Sequence, residues 1–461
     1  MGMKTVLLGC GPYGVITRLF AGAMTFVFLA GVSLAQSVAS APAEPALPAH
    51  ATKLALDSGD TSWMLMSTGL VLLMTIPGLA LFYAGMVRKK NILATAAQSF
   101  AITAVITVVW AVIGYSLSFT NGGINQAYIG GLDRLLLRGM GGGIAHSLAP
   151  TIPESVFMTF QMTFAIITPA LICGAFADRM KFSALIAFMT LWLIVVYAPI
   201  AHWVWGGGFL GGMGVLDFAG GTVVHFNAGI AGLVCTLVLG RRVGYGSEEM
   251  NPHNLLFALM GASLLWVGWF GFNAGSAVAA NELAGIAMMN TQIAAAAATV
   301  SWMLFEWLVV KRPSVLGLLS GAVAGLVAIT PAAGFVAPEG ALLIGLIAGV
   351  VCFVGAVWLK KLVGYDDSLD AFGIHGIGGA VGAILTGVFA LSSVNPLGKG
   401  LLDGNPDQVM TQVVGLAYAG IYCAVATYVI LMIVSVTLGL RVSPEEEMEG
   451  LDLSQHGERV H

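Results

Sequence analysis

From residue 61 onward the chain alternates long apolar runs with short polar or basic punctuation. Eleven runs can be delimited, at 61–87, 92–118, 153–176, 182–200, 218–239, 254–273, 283–309, 314–330, 340–362, 370–390 and 411–439. Most match the roughly 20 apolar residues that a helix needs to cross a hydrocarbon core. The pattern predicts an all-α polytopic membrane protein with eleven transmembrane helices over 61–439 and a polar tail over 440–461. Ahead of them, Lys4 and Arg18 precede an apolar run at 19–34 that is followed by small-residue sites at 33–35 and 39–41. This is the pattern of a cleaved secretory signal over 1–41, with the Pro- and Ala-rich stretch 42–60 as a flexible lead-in. The competing reading, an uncleaved anchor helix, suffers from a run that is short for a span.

Composition supports the same class. With 58% apolar and 9% charged residues and a mean hydropathy of +0.90, the chain has too little polar surface to enclose a water-soluble globule. A net charge of -4 offers no basic field for nucleic acid. The 61 glycines point to helices packed closely through small residues. Cys173, Cys235, Cys352 and Cys423 lie inside apolar runs and Cys10 in the leader, so no disulfide framework is expected.

Basic residues set an orientation. Thirteen of the 19 Lys and Arg fall on one side of the predicted spans, among them Arg88, Lys89, Lys90, Arg241 and Arg242; four fall on the other side and two in the leader. The rich side is expected in the cytoplasm, with the N-terminus outside and the C-terminus inside. If spans one to five and six to ten form two halves, the odd number of crossings in each makes the second half inverted, with the eleventh helix left over. No strong residue-level repeat accompanies this inference.

Two histidines occupy matching spans. DFAGGTVVHFNAGIAGLVCTL (217–237) carries His225, and DAFGIHGIGGAVG (370–382) carries His375. An ionisable group at that depth needs a protein-lined or wet surround. His225 lies eight residues after Asp217 and His375 five after Asp370, depths of roughly 12 and 8 Å from opposite faces, so the rings can converge near the midplane and centre a conduction path. Around the outer span ends lie AHWVWGGGFLGGMGVLDFAGG (201–221), WVGWFGFNAGSAVAANE (266–282) and FMTFQMTFA (157–165). Irregular Gly-rich backbone with tryptophans suggests a packed vestibule.

These segments, with FYAGMVRKKN (82–91), FGIHGIGG (372–379) and the tail GLRVSPEEEMEGLDLSQHGE (439–458), closely resemble the ammonium transporters of the Amt/Mep/Rh family, on the Amt side. The resemblance runs from about 61 to 457; the stretches 120–150 and 394–410 match no family pattern, and nothing is carried onto them. It implies a homotrimer with one pore per subunit in a bacterial inner membrane. Trp205, Phe164 and Ser276 match the ammonium recruitment site, Phe164 and Phe272 the phenyl gate, and His225 and His375 the twin-histidine pair. Asp217 matches the required aspartate, and Gln161, Trp269 and Thr330 match accessory positions. The acidic tail implies packing under the cytoplasmic surface and coupling to a P-II type nitrogen-regulatory protein. No cofactor or metal is implied.

The residue chemistry is coherent with that expectation. A small cation on an aromatic face gains about 0.5 to 2 kcal/mol, which selects without trapping. Carrying a bare charge through an apolar gate costs far more, so the proton should part from ammonia before the crossing. Two buried neutral imidazoles sharing one hydrogen bond can both donate to and accept from passing ammonia, and with pore water can relay the proton. Simpler roles compete at some positions: Asp217 as a helix N-cap, Trp205 as an interfacial anchor, Phe160 as core, and His146, His202 and His253 as structural or solvated. A membrane-embedded hydrolase or metalloenzyme would need a nucleophile or a third ligand, and the sequence has no HExxH and no GxSxG. A sensor that binds ammonium with little transport is the second functional reading.

Overall fold

The computed structural model describes residues 56–141 and 143–460. The expected signal at 1–41 and most of the lead-in lie outside the described residues. The lead-in ends earlier than expected: Asp57 accepts the Asp60 amide at 2.8 Å and so caps the first helix at Ser58.

Among the described residues, ten helices are long and apolar enough to cross a membrane: Ser58–Met86, Lys89–Phe119, Glu154–Ala175, Phe182–Gly212, Gly221–Leu239, Leu255–Gly275, Glu282–Val310, Pro338–Val363, Phe372–Phe389 and Asp407–Thr437. The shorter apolar helix Val315–Ile329 takes the place of the expected eighth span, which completes the eleven. They are numbered one to eleven below in chain order. The segment 120–150, which the sequence left unassigned, leads into a short antiparallel strand pair at its end, Ala145–His146 with Ala149–Pro153.

The first five spans and the next five are related by an inverted twofold repeat, and its signature is visible residue by residue. The carboxylate that opens the tenth span is Asp367, whose oxygens accept the Ala371 and Phe372 amides at 3.1 and 2.8 Å. Asp367 lies eight residues before His375, the same interval as Asp217 to His225, so the counterpart of Asp217 is Asp367 and not Asp370 as the spacing argument supposed. Three residues beyond each aspartate the backbone turns left-handed, at Gly220 (φ 111°) and Asp370 (φ 59°). The reciprocity extends to neighbours. Phe218 donates its amide to Pro331 at 3.1 Å where the eighth span ends, and Ser368 donates to Ala175 at 3.2 Å where the third ends. A Cβ at Gly229 would strike the Gly376 backbone, and one at Gly379 the Gly221 and Phe226 backbone, so glycine lets the two spans touch directly.

On the face that carries the tail, loops are tied by charge. Arg242 grips Asp366 at 2.6 Å and reaches Asp178 at 3.2 Å, while the wholly buried Arg179 bonds Ser368 at 2.8 Å. Burial by itself would push the Asp178 carboxyl up, but Arg242, Arg179 and Arg88 hold it below the usual carboxylate range. The tail docks on the same face. Arg441 pairs with the buried Glu447 at 2.6 Å, Lys90 caps the Glu447 and Met448 carbonyls at 2.9 and 2.6 Å, and Asp452 accepts the Ala94 amide of the second span at 2.8 Å.

Because the folded carboxyl of Asp178 titrates below its unfolded value, its stabilisation is full above about pH 4 and fades as pH falls through the folded value. Asp178→Asn should therefore cost about 3 kcal/mol at neutral pH. The gap to wild type in thermal midpoint should narrow on acidification; a gap independent of pH would contradict this assignment.

Candidate functional site

Asp217 organises the start of the fifth span. Its Oδ1 accepts the Gly220 and Gly221 amides at 3.0 and 2.6 Å, and its Oδ2 accepts those of Thr222 and Val223, both at 3.0 Å. All four free N–H groups of a helix start are thereby served by one carboxylate, so the capping role anticipated for Asp217 is its structural role here. Its backbone carbonyl accepts the Trp205 indole N–H at 2.8 Å. One residue thus fixes both the helix start and the tryptophan beside it.

The histidines follow on widened turns. Gly221–Phe226 and Phe372–Gly376 are π-helical, an arrangement concentrated at functional sites because the extra residue re-aims the side chains. His225 is fully buried and His375 is 4% exposed. Their Nδ1 atoms lie 3.2 Å apart, within hydrogen-bond reach, and the rings are nearly parallel at 18°. The outer nitrogen of His225, Nε2, is buried without a partner.

Aromatic rings continue from His225 toward the face opposite the tail. Trp269 lies 5.2 Å from the His225 ring and Phe272 5.7 Å. The Trp269 N–H donates to the Thr330 hydroxyl at 2.9 Å, which in turn donates to the Leu326 carbonyl at 2.8 Å, so Thr330 fixes the indole. Phe272 and Phe164 are buried with centroids 4.3 Å apart, and Phe164 meets the Trp205 ring edge-on at 5.9 Å. Ser276, one turn beyond Phe272, donates to the Phe272 carbonyl at 2.9 Å. Gln161 has its amide oxygen buried and unpartnered, and its neighbour Phe160 is wholly buried against Phe164, as a core residue.

Toward the tail face, His375 borders a narrow cavity whose walls include Tyr83, Leu316, Ser320, Leu369 and Asp370. Asp370 is paired there with Lys360, which also donates to the Asp367 carbonyl at 2.9 Å. Burial raises the Asp367 carboxyl to about 6, with the Asp370 charge adding to the effect. The sequence reading missed Tyr83, Leu316 and Ser320 as lining residues and the capping role of Asp367. The first are ordinary apolar-run residues with no signal of their own; the second was available in the repeated eight-residue interval from Asp to His.

Eleven crossings, two of them capped and widened around facing imidazoles, define a membrane transport protein of the inverted-repeat class. The chain belongs to the ammonium transporter family: the model of the Ammonium Transporter Family matches residues 62–461. It is 51% identical over 407 residues to the ammonium transporter of Bacillus subtilis, covering 88% of this chain and 99% of that one. Candida albicans Mep2 shares the fold with a TM-score of 0.80 at 36% identity, over 88% and 90% of the two chains. A structure described as a Sensor Amt Protein matches with the same TM-score of 0.80 at 29% identity, over 86% and 98%. The family is one of membrane transport proteins and not of enzymes.

Asp217→Ala should lower the thermal midpoint by more than one ordinary cap, which is worth about 1 kcal/mol, because four N–H groups lose their acceptor. Asp217→Asn keeps one acceptor oxygen and should lose less. Equal losses in the two variants would show that charge, and not hydrogen-bond geometry, is what the position supplies.

Proposed function

We propose that the chain carries ammonium across a bacterial inner membrane, taking it as NH4+ at the far face and passing it inward as NH3 with its proton relayed separately. In this reading Trp205 and Phe164 offer ring faces and Ser276 a hydroxyl to the arriving cation, and Phe164 and Phe272 form the gate. Behind the gate, a bare cation at low dielectric would cost more than the cation–π contact returns, so ammonia crosses uncharged. His225 and His375 line its way, with Asp217, Trp269 and Thr330 in support and Gln161 beside it.

The observation that carries the proposal is the 3.2 Å approach of the two Nδ1 atoms together with the unpartnered Nε2 of His225. Two neutral imidazoles joined by one Nδ1–H···Nδ1 bond present one Nε2 that donates and one that accepts. Such a pair suits ammonia, which does both, and offers a charge-compensated route for one proton. The cavity beside His375 is the exit.

The orientation proposed is N-terminus outside and tail in the cytoplasm, supported by the basic residues 88–90, 241–242 and 360–361 on the tail face. The working unit is proposed to be a homotrimer in the lipid bilayer. A P-II type nitrogen-regulatory protein is the proposed partner at the cytoplasmic face, where the acidic tail docks. A second reading, a sensor that binds ammonium with little net transport, is favoured by the likeness to the Sensor Amt Protein.

Purified protein in liposomes should give an ammonium-evoked current that potassium does not evoke. With both His225→Ala and His375→Ala the current should vanish or become one that potassium also carries; a current of unaltered size and selectivity would contradict the proposal. Binding without current in the wild type would select the sensor. Deleting 439–461 removes the contacts of Arg441, Glu447 and Asp452 and should reduce the current, whereas full transport would show that the tail does not couple to the pore.

A further inference from the structure

His202 lies in the last turn of the helix Ala198–Val204 and is wholly inaccessible to solvent. Its Nδ1 is 3.0 Å from the Ser118 carbonyl oxygen and its Nε2 2.7 Å from the Gln126 carbonyl oxygen. Both partners are backbone oxygens and can only accept. Turning the ring over would put carbons in the place of both nitrogens. A neutral imidazole carries one N–H, so it would leave a lone pair pointing at a carbonyl oxygen in a buried site, and an unmet buried acceptor costs about 1–3 kcal/mol. We infer that His202 is held as a doubly protonated imidazolium and acts as a positioning residue for Trp205.

The surroundings suit a cation. Ser118 is the penultimate residue of the span Lys89–Phe119, and His202 closes its own helix, so the negative ends of two helix dipoles meet at the ring. Residues 121–128 contain no Asp, Glu, Lys or Arg. The titratable groups on the elements packed around it are Tyr115, His146, Tyr128, Tyr197, Glu154, Arg134 and Asp217. The two carboxylates are already engaged, Glu154 by Arg134 at 2.8 Å and Tyr115 at 3.0 Å, and Asp217 by four amides. Carbonyl oxygens therefore meet the charge of His202.

The ring is the centre of a wider clamp. The Gln126 amide bridges to the Gly206 and Gly207 carbonyls at 3.1 and 3.3 Å, the Trp203 indole donates to Tyr128 at 2.7 Å, and the Phe209 amide donates to Ala127 at 3.0 Å. The Gly206 and Gly208 amides both return to the His202 carbonyl, at 3.0 and 2.9 Å. Loop 121–128 is in this way stitched to 202–209, the turn from which Trp205 reaches the Asp217 carbonyl and Phe164. This gives a function to part of the outer segment that matched no family pattern. The positioning role rests on the reading of Trp205 as a recruitment residue; the charge on His202 does not.

The test has two independent arms. Wild-type protein carrying ¹⁵N-labelled histidine in lipid bilayers is examined by NMR at neutral pH, and the ring signals absent from His202→Gln are assigned to His202. Two protonated ring nitrogens are expected; a singly protonated ring overturns the charge. In liposomes, His202→Gln should raise the half-saturating ammonium concentration about tenfold while leaving the maximal current within about twofold. Gln126→Ala, which spares the ring contacts and removes the amide bridge, should raise it about threefold even if His202→Gln does not fold. Unchanged half-saturation in Gln126→Ala overturns the positioning role. Trp205→Ala run alongside separates the failures: if it too leaves half-saturation unchanged, the recruitment reading fails, while the spectrum still decides the charge.

Discussion

An imidazole in the middle of a bilayer must find its hydrogen-bond partner in protein, because lipid offers none. In this chain the partner of each central histidine is the other. The 3.2 Å Nδ1···Nδ1 contact brings together residues 150 positions apart, from two halves that enter the membrane from opposite faces. Bringing them there requires two helices that begin inside the protein, and a helix start leaves four N–H groups unmet. Asp217 meets all four and Asp367 two, at corresponding positions, one at each face. The third and eighth spans stop short against those starts, and glycines 229 and 379 let the two capped helices touch. The repeat, the caps and the close crossings are thus parts of one solution to one electrostatic difficulty.

The path on either side of the pair differs in kind. Toward the far face it is aromatic, with Trp269 and Phe272 against His225 and then Phe164 and Trp205, each ring held by a hydrogen bond or by contact with a neighbouring ring. Toward the tail face it is a narrow cavity ending at Asp370, whose charge is matched by Lys360. On the function proposed above, an aromatic approach that favours a cation and a dry middle that rejects one would impose selectivity in sequence: first for a small cation, then for something that can give its charge away.

Much of this was legible in the chain. Run length gave the eleven crossings, including the 15-residue Val315–Ile329, because the neighbouring Pro331 and Pro338 punctuate it clearly. Two histidines in apolar runs stood out as costly residues and proved to be in contact. The residue-level repeat was overlooked because the two motifs share little besides an aspartate, a histidine eight residues later and a left-handed turn between them. In one half that turn is made by Gly220, which announces it, and in the other by Asp370, which does not, and from which the depth of His375 is counted in the sequence reading. The clamp at 121–128 was not legible, since it depends on backbone partners about 80 residues away, and the strand pair at 145–153 was not, because it is a short, irregular hairpin with a two-residue first strand. Phe164 and Phe272 could be singled out only through family likeness, because a buried phenylalanine looks the same in a gate as in a core.

The central claim is that the pair passes ammonia and proton by different means, the first through a dry passage and the second through hydrogen bonds. The most direct measurement is the ammonium-evoked current of the wild-type protein in liposomes prepared in H2O and in D2O at matched acidity. Relay of a separated proton predicts a current reduced in D2O by clearly more than the ratio of the two solvents' viscosities. A reduction no greater than that ratio would mean that the ion crosses intact, and would contradict the account.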